Sequence, residues 1–310
     1  VTVLAVDIGG TKLASAVVAP DGELLSQART PTPVTRDGEE IWQALTSLLD
    51  KVLAEAGEPD LAGVGVGCGG PMTWPAAEVS PLNMPAWRGF PLRARLADRH
   101  PGLPVRVHND AVCVAIGEHR AGAGRGRANV LGMVVSTGVG GGLILNGRLI
   151  DGASGNAGHI GHVVVDPGGP PCACGGRGCL EAVARGPGLV AWAQSQGWRP
   201  GERVTGVELA DDARAGHPVA LRALTRAGRA LGVAIASATH LCDLEVVAVG
   251  GGLSQTGDLL FAPLNEALRA HARLDFARRV EAVPATLGQT AGLVGAAALI
   301  HDPGSYWHAD

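Results

Sequence analysis

Lysine is almost missing from the chain. Lys12 and Lys51 are the only two, so at a formal net charge of −4 the positive charge rests on arginines scattered through helical segments and loops. No basic stripe for nucleic acid results. The densest stretch, Arg120 to Arg127, is interleaved with glycine, has no aromatic residue on which a base could stack, and reads as a solvated turn. Also missing is any run near the roughly 18 apolar residues of a membrane span. The N-terminus enters an apolar strand with no charged leader region or cleavage site, so the expected location is the cytoplasm. The pattern GxxxxGK[ST] is absent, because neither lysine follows a glycine at that spacing, and P-loop chemistry is excluded with it. A GxGxxG match at Gly65, Gly67 and Gly70 runs into Pro71 and Thr73-Trp74-Pro75 instead of a helix, so the dinucleotide-binding context is missing.

What is present is glycine, at 47 residues, clustered after apolar runs in a chain of 310 residues that is 46% hydrophobic. That length is enough for two modest cores. Val1 to Val6 reads as a strand, DIGGTK as a glycine turn, Ala14 to Ala19 as a second strand and Asp21-Gly22 as a hairpin. The same order returns at Val130 to Val135, STGVGGG, Leu143 to Asn146 and Asn146-Gly147. One unit therefore occurs twice. Asp37 and Glu40 predict a capping box for a helix ended by Gly57. A long buried helix is expected over Val219 to His240, feeding the strand Glu245 to Val249 and a third glycine loop. Strands alternating with helices argue for an α/β fold of two lobes with a central cleft, the first lobe running to about residue 115.

Converging backbone N–H groups hold phosphate well, and glycine permits positive φ and close approach. Two glycine loops in matching strand contexts therefore point to a nucleotide: Asp7, Gly9, Gly10, Thr11 and Lys12 in the first, Thr137 and Gly138 in the second, with Gly250, Gly251 and Gly252 in the third. Asp7, at a strand end, suits a water on Mg²⁺. In HNDA, Asn109 and Asp110 read either as helix caps or as the carboxylate base and hydroxyl-orienting amide that phosphoryl transfer to an alcohol needs. Cys172, Cys174 and Cys179 with His162 form a closed four-ligand set suited to structural zinc, and the surrounding glycines allow a tight knuckle. Cys68, Cys113 and Cys242 lie in apolar surroundings and read as core. Trp74 and Trp87 read either as pocket wall or as cover over the first core.

Taken in order, DIGGTK, HNDA, STGVGGG, GHIGH with CACGGRGCLE, and VGGG resemble the ROK family of bacterial sugar kinases and repressors over almost the whole chain. The resemblance implies an actin-like, ribonuclease-H-like duplicated fold whose last helix, within 291–310, returns to the first lobe while 116–290 forms the second. It implies a homodimer, and a kinase that uses ATP and Mg²⁺ on the 6-hydroxyl of a hexose or N-acetylhexosamine. Asp110 is similar to the family's base, and Gly70, Asn83, Asn109, His162 and Glu181 match its sugar side, with a zinc knuckle over 162–181. His159 departs from it, standing where most members have glutamate. Neutral imidazole offers one donor and one acceptor and suits an acetamido group beside a hydroxyl; otherwise His159 is a packed neighbour of the ligand. The AGHIGH version is similar to the family's N-acetylmannosamine kinases, with glucose or N-acetylglucosamine as alternative acceptors. A sugar sensor without catalysis is the reading from another class, and it has no need of Asp110.

Overall fold

The computed structural model describes residues 1–201 and 204–308. β1 (Thr2–Ile8) and β2 (Lys12–Val18) pair antiparallel around the DIGGTK turn, and β3 (Leu24–Pro31) follows through the turn at Gly22. β1 and β2 are covered on both faces, which is why they read as continuous apolar runs; β3 alternates between half-buried and exposed. In α1 (Gly38–Glu55), the Asp37 carboxylate accepts the Glu39 N–H at 2.8 Å. The expected capping box with Glu40 is not formed, because the Asp37 N–H already donates to Thr35 Oγ1 at 3.0 Å and offers Glu40 nothing to reach back to. The helix closes at Gly57: its N–H donates to Ala54 O at 3.1 Å and the Glu58 N–H to Leu53 O at 3.0 Å, satisfying two end carbonyls.

β4 (Leu61–Cys68) lies parallel to β1. After a small ribbon of β5 (Glu78–Val79) and β6 (Phe90–Pro91) and the helix α2 (Leu92–Arg99), β7 (Val105–Asn109) joins β4 in parallel and runs directly into α3 (Asp110–Ala121). The first sheet has the order β3-β2-β1-β4-β7. β8 (Val130–Val135), β9 (Val139–Leu145) and β10 (Arg148–Leu149) repeat the opening hairpins, with φ of 52° at Asn146 and 73° at Gly147 as a tight Asn-Gly turn requires. The helices α4 (Leu180–Ala184), α5 (Gly186–Ser195), α6 (Gly206–Arg214) and α7 (Pro218–Cys242) lead to β11 (Val246–Gly250), α8 (Asp258–His271) and β12 (Glu281–Pro284). The second sheet, β10-β9-β8-β11-β12, has the strand order of the first. The duplication read from two glycine turns thus extends through five strands.

The chain forms two compact units, Val1–Gly126 with Gly142–Ala157 and Gln289–Asp310, and Arg127–Gly141 with Gly158–Gly288. Residue 115, where the sequence reading ends the first lobe, lies inside α3. In the first unit, Leu4, Val6 and Ile8 face α1 and Trp87, while Val3 and Ala5 face the opposite layer, as the two-residue period of a strand dictates. That second layer contains α9 (Ala291–His301), followed by α10 (Pro303–Tyr306). α9 reaches both the sheet and α3 at backbone distance: a Cβ on Gly65 would stand 1.9 Å from Ala296 O, and one on Gly295 1.7 Å from Cys113 O. Among the described residues no helix is long and apolar enough to cross a membrane.

Candidate active site

β1, β4 and β7 are parallel neighbours, with Asp7 opposite Gly67 and Cys68 opposite Asn109. Asp7 and Asp110 therefore stand together at the carboxyl ends of the strands, where open α/β sheets bind ligands. Asn109 Oδ1 and Asp110 Oδ1 both accept the Ala111 N–H, at 3.0 and 2.8 Å. The capping role is real, and it leaves Asp110 Oδ2 on the side of Gly69, where a Cβ would lie 3.9 Å away. Asn109 Nδ2 lies on the side of Gly70, 3.4 Å from the place of a Cβ there, and Asn83 packs against Gly10, where a Cβ would come within 2.5 Å of its own. The turn itself departs from expectation. Neither Gly9 nor Gly10 has positive φ, and Gly10 is required by the approach of Asn83 instead. Thr32 ties the turn down, its hydroxyl donating to Gly9 O at 2.7 Å and its N–H to Thr11 O at 3.1 Å.

Burial pushes the Asp7 carboxyl up to about 6; the charge of Asp110 adds to the rise and that of Lys12 opposes it. Burial also raises Asp110, against the hydrogen bonds from the Ala111 amide and its own. Cys68 and Cys113 sit beneath the pair as inert buried thiols, raised first by burial and then by the two carboxylates.

In the second unit, the loop after β8 is held by Ser136 N–H to Gly138 O and Gly186 N–H to Ser136 O, both 2.8 Å. Glu181, on α4, braces it from below: its Oε2 accepts the Val139 N–H at 2.9 Å and stands 2.9 Å from where a Cβ on Gly138 would be. Beside this loop opens a cavity of about 630 Å³ with Thr137, Val190, Val207, Ala210, Leu253 and Thr256 among its walls. Of the third glycine loop only Gly252 lines it; Gly251, at φ 89°, is pressed onto β8, 2.4 Å from Val135 O to a Cβ. Sequence reading missed the α5 and α6 walls, whose apolar spacing looks like core.

His162 Nδ1 and the sulfurs of Cys172, Cys174 and Cys179 all lie within 4.8 Å of one another, with Cys172 Sγ 3.9 Å from His162 Nδ1 and Cys174 Sγ 3.7 Å from Cys179 Sγ. Ligand separations in tetrahedral zinc, from bonds of about 2.0–2.3 Å, are about 3.3–3.8 Å, so the donor set fits that ion. A hydrogen bond from the Gly176 backbone lowers Cys174, while burial, with the neighbouring sulfurs, pushes Cys179 up to about 12. His159 is exposed and stacks on His162 with ring centroids 6.2 Å apart. Trp87 proves to be core, fully buried, stacked on Phe90 and donating Nε1–H to Gly38 O at 3.0 Å. Trp74 packs against His108 at a tilt of 52° with ring centroids 4.7 Å apart, and His108 Nε2 lies 3.0 Å from Asp151 Oδ1, a pairing across 43 residues with no local sequence signal.

Residues 3–303 match the model of the ROK family. A glucokinase of Thermotoga maritima is 34% identical over 96% of this chain and 97% of its own length, and an N-acetylmannosamine kinase of Shigella flexneri is 35% identical over 96% and 98%. The crystal structure of a ROK family glucokinase from Streptomyces griseus in complex with glucose and AMPPNP superposes with a TM-score of 0.81 at 35% identity, covering 96% of this chain and 99% of that one. The fold is the actin-like one of these kinases.

Proposed function

The chain belongs to the ROK family, and on that footing we propose that it is an ATP-dependent sugar kinase acting on the 6-hydroxyl of N-acetylmannosamine. The observation that carries the reading is Asp110: a carboxylate at the carboxyl end of the parallel strands, with a raised proton affinity and one oxygen not engaged by Ala111. That oxygen takes the hydroxyl proton while the hydroxyl oxygen bonds to the γ-phosphorus, and ADP leaves with the electron pair of the broken P–O bond. Asn83, Asn109 and Gly70 supply amide and backbone groups to orient the other hydroxyls. The apolar cavity beside Thr137 suits a nucleoside, with the loop amides for its phosphates.

Asp7 is the residue that would hold hydrated Mg²⁺, which supplies charge neutralisation to the phosphates. Its raised pKa is the mark of a buried carboxylate short of positive charge. His162, Cys172, Cys174 and Cys179 would hold zinc, whose part is to fix the loop that carries His159 and His162.

His159 supports the aminosugar. Exposed beside His162, it can donate to an acetamido carbonyl and accept from a hydroxyl. A second reading, glucose, is favoured by the glucokinase relatives at equal identity. ADP release compared as kcat/KM across N-acetylmannosamine, N-acetylglucosamine, glucose and mannose separates them. Preference for N-acetylmannosamine supports the proposal, preference for glucose transfers it to the second reading, and sugar binding without turnover would leave a sensor. Asp110→Asn should lower turnover by roughly 10²–10⁴ with sugar affinity retained; undiminished turnover would remove Asp110 as the base. The family likeness also supports a homodimer, which sedimentation equilibrium measures.

A further inference from the structure

His108 is 1% exposed, yet it carries two ring nitrogens that must each find a partner. Nδ1 accepts the backbone N–H of Asn109 at 2.8 Å, which fixes the ring's proton on Nε2. Nε2–H then donates to Asp151 Oδ1 at 3.0 Å, and the Asp151 side chain is 11% exposed. The chain of contacts continues from Asn109 to the base, since Asn109 Oδ1 and Asp110 Oδ1 share the Ala111 N–H.

The ring is packed against an aromatic neighbour as well. Trp74 lies 4.7 Å from it, and Trp307 lies 4.9 Å from Trp74. Gly155 presses on the Trp74 indole so closely that a Cβ would come within 2.6 Å. Gly155 belongs to the same short loop as Asp151, which the Ala157 N–H closes by donating to Asp151 O at 3.0 Å. One loop thus supplies both the carboxylate that orients the ring edge and the backbone that backs its aromatic cover.

We infer that His108 and Asp151 are positioning residues for the phosphoryl transfer: Asp151 orients the His108 ring, and Nδ1 of that ring sets the backbone from which Asn109 and Asp110 project. The inference rests on the reading of Asp110 as the base. A carboxylate aimed at a hydroxyl loses rate steeply with displacement, about 10²-fold for 1 Å. Loss of the pair is therefore expected in turnover more than in sugar binding.

The test uses the full chain, ATP and the sugar with the highest kcat/KM, at a temperature well below the melting point of each variant. Asp151→Ala should lower kcat by about tenfold to a hundredfold and change the sugar KM by less than about threefold. Asp151→Asn, which keeps an acceptor oxygen for Nε2–H, should recover most of that kcat. His108→Asn keeps an oxygen near the position of Nδ1 but cannot reach Asp151, and it should resemble Asp151→Ala. A structural role alone would lower the melting point of all three and leave kcat within about twofold below it, which would overturn the inference. If Asp151→Ala does not fold, the comparison of Asp151→Asn with His108→Asn decides: equal, wild-type kcat in both refutes the pair. Asp110→Asn distinguishes the levels. Should it keep its turnover, the base reading fails and this inference with it; should it lose turnover while the other variants do not, only the pair fails.

Discussion

Burial, with the Asp110 charge beside it, holds the Asp7 carboxyl away from the ionised state, and the cost falls on the folded protein. The Asp7 carboxyl titrates at about 6 instead of 3.8, so between those values the native state retains a proton that the unfolded chain has lost. Stability from this group falls as pH rises through that window, and the deficit is complete above it, amounting to about 2 to 3 kcal/mol. Asp7→Asn should therefore melt higher than the wild type at pH 7.5, roughly equal to it near pH 3.5. A difference that does not vary with pH would show that Asp7 is not the strained group. Residues of this kind were legible because motif and strand context agree: an acid at a strand end followed by two glycines, and Asn-Asp opening a helix. The Asp151 partner of His108 was not legible, because the two lie 43 residues apart and no sequence pattern pairs a strand-end histidine with a loop acid at that distance.

At the level of elements, the knuckle between His162 and Cys179 was readable from spacing alone, since one histidine and three cysteines within 18 residues have few other uses. Cys174→Ser, or treatment with a strong chelator, should release zinc and weaken sugar binding together. Iodoacetamide should then label the knuckle while sparing Cys68 and Cys113, whose thiols are buried and raised. Labelling unchanged by chelation would mean that no metal protects these sulfurs. The contact of α9 with α3 and β4 is the opposite case. Nothing in the sequence marks Gly65 or Gly295 as a contact point, yet the fold puts a backbone oxygen within 2 Å of where each Cβ would be. Gly295→Val should cost about 3 kcal/mol or prevent folding, because backbone on both sides cannot yield; a melting point within a degree of wild type would contradict the packing. The failed capping box belongs here too. A hydroxyl two residues upstream competed for the same N–H, and pattern matching at fixed spacing does not see competitors.

For the whole molecule, duplication was the readable property. Two hairpins with a glycine turn announced two sheets, and the strand order of the second copies that of the first. Extents were harder, because the first unit is assembled from three separate stretches of chain, which no local composition can signal. Two compact units, one containing Asp7 and the other the cysteine knuckle, should unfold as two calorimetric transitions. Chelation should lower one and Asp7→Asn raise the other. A single transition shifted by both treatments would mean that the units unfold as one.

The three-part first unit also sets an order in time. On the ribosome β1 emerges well before the helix that covers Val3 and Ala5, which is made nearly 290 residues later. The second unit, apart from 127–141 a single continuous stretch, has all its residues while α9 is still untranslated. At synthesis rates of about 5–20 residues per second, the apolar face of the opening strands waits on the order of ten seconds or more without its partner. β1 and β2 are thus among the last elements of their unit to be sealed, and the nascent protein depends on whatever shields an uncovered sheet until α9 arrives.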